Sequence, residues 1–167
     1  QYAASKRKRG TSEVDVEFLK EIEAWREALA RNMALRNKDL SSDDLNAAVQ
    51  LTIDRVVFLR MGEDRGIEPY EQILKLCERP DIYARFMRDL CRKADEKYNS
   101  GLFHFQKEPG VSDRPDRITP KLTVDDKVFK PILQRLYFAY GAPYHFGVLP
   151  VEILGTVYER FLGKVIR

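Results

Sequence analysis

The sequence predicts an all-α fold, a bundle of about five to six helices with one long irregular loop near residues 102–123. Two observations carry this. Apolar residues recur at three- and four-residue steps in several windows, and helix-cap and helix-stop residues punctuate those windows. The loop follows from Pro109, Pro115 and Pro120, which interrupt a stretch with no helical period.

Residues 1–11 read as a basic arm ahead of a single helical domain, 12–167. Ser12, with Asp15 three positions on, has the form of a capping box. Phe18, Leu19, Ile22, Trp25, Leu29 and Met33 then form one stripe through about Arg36, opposite Lys20, Glu21, Glu23, Arg26 and Glu27. After a polar turn, Ser41 and Asp44 repeat the capping pattern. Leu45, Ala48, Val49, Thr52, Ile53 and Val56 form the next stripe, and from Val56 to Leu59 the helix is apolar all round, as expected of the most buried one. Gly62 and Gly66 end it. Pro69 opens a short helix through Leu76, and Pro80-Asp81 starts another from Ile82 to Tyr98. Asn99-Ser100-Gly101 signals a turn, and beyond the loop Asp125 or Asp126 begins a helix through Tyr137. Aromatic residues crowd 138–146, and Pro150 stands at the first turn of a last helix with Ile153, Leu154, Val157, Phe161 and Val165 as its stripe. Both ends read as cut, so an excerpt from a longer protein is expected.

Composition bounds the function. At 167 residues, one domain is the expectation. No apolar run approaches the ~20 residues of a membrane span, and mean hydropathy is −0.45. No apolar signal-peptide core follows the basic start. Cys77 and Cys91 each fall in a predicted helix, so a disulfide framework is not implied and a reducing cytoplasm is expected. His104 and His145 have no zinc-ligand spacing, and no metal site is predicted. The net charge of +3, from 29 bases and 26 acids, argues little for a nucleic-acid partner. The unbroken run Lys6, Arg7, Lys8, Arg9 is the candidate for phosphate contact, against the plainer reading of a solvated tail.

Two constellations invite chemistry. Pro115-Asp116 followed by Asp125-Asp126-Lys127 matches the letters of the PD-(D/E)xK nuclease pattern, in which carboxylates converge on Mg²⁺ beside a lysine. That chemistry is usually carried on paired strands. Here Arg117-Ile118-Thr119-Pro120 makes a poor strand, and acids at a helix start complement its dipole. No catalytic residue is therefore assigned. The second is Asp54, Arg55, Arg60, Glu63, Asp64 and Arg65, on and after the most apolar helix. Charges there are expected to pair in a structural network, because an isolated buried charge costs several kcal/mol. The alternative is that Arg55, Arg60 or Arg65 faces DNA or a neighbouring domain. Phe103-His104-Phe105 and Tyr137, Tyr140 and Tyr144 offer base-stacking surfaces, or pack loops onto the core. The Asn/Asp-Pro-Pro-Tyr/Phe motif of amino-group DNA methyltransferases is missing.

Three stretches carry a resemblance. They are Gly10-Thr11-Ser12-Glu13-Val14-Asp15 with Phe18-Leu19 and Glu23-Ala24-Trp25-Arg26; Leu45-Asn46-Ala47-Ala48-Val49-Gln50 through Ile53-Asp54-Arg55, Phe58-Leu59-Arg60 and Glu63-Asp64-Arg65-Gly66-Ile67; and Val148-Leu149-Pro150 through Ile153-Leu154-Gly155, Tyr158-Glu159 and Phe161-Leu162-Gly163. With Tyr98-Asn99-Ser100-Gly101-Leu102-Phe103 between them, the ordered set resembles the single-chain type IIG restriction-modification enzymes and their adenine-methyltransferase relatives. The resemblance implies a non-catalytic helical connector between an endonuclease domain and a DNA methyltransferase domain. It also implies S-adenosylmethionine, Mg²⁺ and double-stranded DNA for the parent enzyme. Met61-Gly62 departs from the pattern, where a bulkier residue is expected, and suggests a loosened helix end. The rival readings are a stand-alone helical module that binds a protein through an apolar groove, and a small Mg²⁺ nuclease using Asp116, Asp126 and Lys127.

Overall fold

The computed structural model describes the backbone of residues 2–98, 101–106 and 114–137, and the side chains among these from residue 17 onward. Helix α1 runs unbroken over Tyr2–Arg36, so the basic arm is the first part of a helix and Ser12 lies inside it rather than capping it. Ala3, Ala4 and the Lys/Arg run are strong helix formers, and Gly10 costs only about 1 kcal/mol, too little to stop propagation. The stripe of α1 is buried at Phe18, Trp25, Leu29 and Met33, whereas Leu19 is 50 % exposed. One residue on from Phe18 is about 100° around the helix, which carries Leu19 off the core-facing side.

Helix α2, Ser42–Asp64, begins where the sequence places its cap: the Ser41 hydroxyl accepts from the Asp44 backbone N–H at 3.1 Å. It packs along α1. Its second half is buried on every side, from Thr52 through Glu63, and Phe58 meets Tyr98 and Phe103 edge-on at 5.0 and 5.5 Å. Gly62 does not loosen the helix end. The Ile67 and Glu68 N–H groups both donate to its carbonyl, at 2.9 and 3.0 Å. A Cβ at this position would stand 2.9 Å from Cγ of Glu68. The missing side chain lets the chain fold back across the helix end, and Gly66, with φ +74, makes the reversal.

The short helix expected from Pro69 is displaced: α3 covers Gln72–Lys75 and passes into a 3₁₀ turn, Leu76–Glu78. Glu71, with φ 63, separates Pro69 from α3. A rod then runs from Ile82 to Lys97: α4 (Ile82–Arg85), a π-helical stretch (Phe86–Cys91) and α5 (Arg92–Lys97). The sequence gives no sign of the π turns. Their wider winding brings Phe86, Met87 and Cys91 all into the core. The irregular segment contributes a 3₁₀ turn, Thr119–Lys121, which packs on the π stretch. Helix α6, Asp126–Gln134, rests on α1, α3 and α4. Two further turn bonds extend it to Tyr137, from the Leu136 N–H to the Leu133 carbonyl and from the Tyr137 N–H to the Gln134 carbonyl. Phe129 at its centre is fully buried and meets Tyr83 and Phe86 edge-on at 5.5 and 5.6 Å. Such a ring contributes about 1.5–3 kcal/mol by burial.

No strand element occurs among the described residues, in keeping with the all-α expectation. Tyr140, Tyr144 and the helix expected from Pro150 lie outside the described residues.

Candidate functional site

Two arginines of α2 organise the molecule. Arg55 is 1 % exposed and fills all three faces of its fork. Its Nε donates to the Leu102 carbonyl at 2.8 Å, one terminal nitrogen to the Thr119 hydroxyl at 2.8 Å, and the other to Asp116 at 2.7 Å. The three acceptors lie at the two ends of the irregular segment, so a single guanidinium closes that loop. Its carbon stands 4.9 Å over the Phe105 ring. A planar fork with fixed donors suits this task where a lysine would not.

Asp116 meets Arg55 already shaped. One carboxylate oxygen accepts the N–H groups of Ile118 and Thr119, each at 3.0 Å, and the other takes the Thr119 hydroxyl. Burial pushes the Asp116 carboxyl up, but the Thr119 hydroxyl and the Arg55 charge outweigh it and hold the group below its ordinary range. The Tyr83 hydroxyl donates to the Thr119 carbonyl at 2.8 Å and completes the anchor.

Arg60, one turn and a half further along α2, holds the other end. It donates to the Leu136 carbonyl at 3.1 Å, pairs with Asp64, and lies between Tyr137 and Tyr70 at 4.3 and 5.5 Å from their ring centres. Glu63 accepts from the Glu71 and Ile73 N–H groups, at 2.8 and 3.2 Å, and from the Tyr137 hydroxyl at 2.7 Å. It thus caps α3 from a distance and ties α2 to the end of α6. Burial raises its carboxyl above the ordinary value, against the opposing pull of those hydrogen bonds and Arg60.

The remaining members of the predicted cluster go elsewhere. Asp54 is buried but lies on another side of α2, accepting from Gln50 at 2.7 Å, and Gln50 in turn accepts from Arg26 at 2.7 Å. Arg65 is exposed and forms the C-cap, its N–H bonded to the Met61 carbonyl. Lys6, Arg7, Lys8 and Arg9 lie in α1, with side chains outside the described set.

The nuclease letters do not share a site. Asp116 serves Arg55 and Thr119. Asp125 is bonded by Asn32 and Arg36 of α1, at 2.9 and 3.0 Å. Asp126 receives the Asp81 and Ile82 N–H groups, at 3.0 and 2.8 Å, and caps α4. Among the described residues no group of three or more His, Cys, Asp or Glu could hold a metal ion. Asp116, Asp125 and Asp126 are each taken up by separate contacts and do not converge on one point, so no step is routed through Mg²⁺ here. Phe103 and His104 are buried and Phe105 packs under Arg55, so the described aromatics act as loop plugs. A groove of about 660 Å³ between α1 and α2 has Ala30 and Val49 at its base and Glu23, Arg26 and Glu27 on its rim.

Sequence reasoning missed Asp116 as the partner of Arg55, and missed Thr119. A local signal existed: Asp followed by Thr three residues on is an Asx-turn pattern. No signal could have joined it to Arg55, 61 residues away.

No protein-family profile matches the chain, and no solved structure matches it significantly. A curated protein does: the type II restriction enzyme and methyltransferase RM.Eco57I of Escherichia coli, 34 % identical over 154 residues. The match covers 92 % of this chain and 14 % of the relative's length. No helix among the described residues is long and apolar enough to cross a membrane. By this likeness, running nearly from end to end, the chain is a homologue of one segment of a type II restriction enzyme and methyltransferase.

Proposed function

We propose that this segment is a rigid, non-catalytic helical spacer joining the endonuclease and DNA adenine-methyltransferase domains of a restriction-modification enzyme. In this reading it sets the distance between the point of cleavage and the point of recognition. The observation that carries it is the use of charge: Arg55, Arg60, Glu63, Asp116 and Asp126 all tie one helical element or loop to another. Fixed geometry is what a spacer needs, and a flexible linker of the same length samples a broad range of separations. S-adenosylmethionine and Mg²⁺ belong, in this reading, to flanking domains, the partner is double-stranded DNA bound by the whole enzyme, and the compartment is the cytoplasm.

The test is to insert one helical turn into α1 ahead of Phe18, upstream of its buried stripe, in the full-length enzyme and map the cut. A turn adds about 5.4 Å, or one to two base pairs at roughly 3.4 Å each. The cut is expected to move by that amount. An unmoved cut, with the fold intact, removes the spacer role.

A further inference from the structure

The rod from Ile82 to Lys97 turns its apolar side inward and leaves a charged face outside. On that face Arg88 and Arg92 are exposed, one turn apart. They border a cleft of about 240 Å³ whose other walls are Ala84, Met87, Phe105 and Pro120. Pro120 belongs to the 3₁₀ turn of the irregular segment, whose exposed neighbours are Arg117 and Lys121. The rod and the turn therefore meet at this cleft, with Arg88 and Arg92 on one side of it and Arg117 and Lys121 exposed on the chain that flanks Pro120. Neither element is free to drift: Arg55 and Tyr83 hold Asp116 and Thr119 from below, and the π turns are packed through Phe86 and Cys91.

We propose that this face, Arg88 and Arg92 with Arg117 and Lys121, seats the phosphate backbone of duplex DNA. The inference rests on the spacer reading only in taking the parent as an enzyme that acts on DNA. The cleft is smaller than the ~300–1,000 Å³ typical of sites that enclose a small molecule, so the ligand lies across it. The rod also carries three acids, Asp89, Asp95 and Glu96. Asp89 pairs with Arg88 at 2.9 Å, an exposed contact of the kind that contributes little and yields to a phosphate. Asp95 accepts the Phe105 N–H at 3.0 Å. Glu96, the last of them, sits a turn beyond Arg92. Cations mounted on ordered elements lose little freedom on binding, which favours a backbone contact of this kind. Because phosphate contacts carry no sequence information, the face would steady the spacer on any DNA between the two working sites.

The experiment uses the full-length protein, a short nonspecific duplex and fluorescence anisotropy between about 50 and 200 mM salt. The fourfold variant Arg88→Ala, Arg92→Ala, Arg117→Ala, Lys121→Ala is compared with the control Lys20→Ala, Arg31→Ala on α1. Each lost phosphate contact lowers the slope of log affinity against log salt by about 0.9. The fourfold variant is expected to lose about 2–4 in slope and at least about 10-fold in affinity at low salt, with the control unchanged. The same four positions replaced by lysine, or by arginine at 121, are expected to keep the slope. A wild-type slope in the alanine variant overturns the proposal, as does an equal loss in the charge-preserving variant, which would signal disturbed packing. Cut position stays separate: a slope that falls while a helical insertion leaves the cut unmoved spares this face and removes the spacer reading.

Discussion

Replacing Arg55 by alanine removes a buried charge that ties α2 to both ends of the irregular segment. The side chain is 1 % exposed and makes three hydrogen bonds to acceptors at both ends of the irregular segment. Its removal takes one donor from the Leu102 carbonyl and leaves the Asp116 carboxylate in a half-buried place without its countercharge. Breaking a buried pair from one side costs about 3–5 kcal/mol, most of it the penalty of the partner left behind. With a urea dependence of roughly 2 kcal/mol per molar, the midpoint falls by about 2 M. Trp25, the single tryptophan of the chain and 5 % exposed, reports unfolding by its fluorescence. The double variant Arg55→Met, Asp116→Asn removes both charges while keeping a side-chain oxygen for the Ile118 and Thr119 N–H groups, and is expected to regain part of the loss, because much of the cost lies in the unpaired charge. A midpoint shift of less than about 0.5 M for Arg55→Ala, a cost of about 1 kcal/mol or less, would refute the reasoning.

Two further outcomes follow from particular contacts. Gly62→Ala ought to stabilise a helix by about 1 kcal/mol on propensity alone. Here the new methyl meets Glu68, which Lys97, Tyr98 and Gln72 hold in place, so a net destabilisation of about 1–3 kcal/mol is expected, and a raised melting temperature would contradict it. Asp116 is held below its ordinary range, so its stabilisation is present above its unfolded value and is lost as pH falls through the lower folded one. Glu63, raised by burial, runs the other way and stabilises less as pH rises above its unfolded value. Acid unfolding of Asp116→Asn should therefore be shallower than that of the parent below about pH 4. Parallel curves would dismiss the Asp116 contribution.

The pattern of apolar residues was enough to place α1, α2 and α6, because a helix that buries one face must repeat its apolar residues with the helical period. The Ser41 cap was legible for the same local reason. Boundaries set by distant side chains were not. Pro69 looks like a helix start, yet the carboxylate of Glu63 takes the Glu71 and Ile73 N–H groups and starts α3 later. The start of α4 depends on Asp126, 45 residues beyond Asp81. The charged residues of α2 were visible as a group, but adjacent positions on a helix face different sides, so Asp54 and Arg55 join different networks. Asp116 drew notice for letters it shares with nucleases. The structure shows what those letters do here, a turn built to receive an arginine.

In the proposed spacer role, stiffness is what this segment supplies. The most direct measurement places Arg55→Ala in the full-length enzyme, at a temperature where hydrogen exchange shows the segment folded but loosened, and sequences the ends of the cleaved DNA. Cleavage is predicted to spread from a narrow set of positions over several neighbouring ones. Ends as sharp as those of the unaltered enzyme, from a segment shown to have loosened, would contradict it.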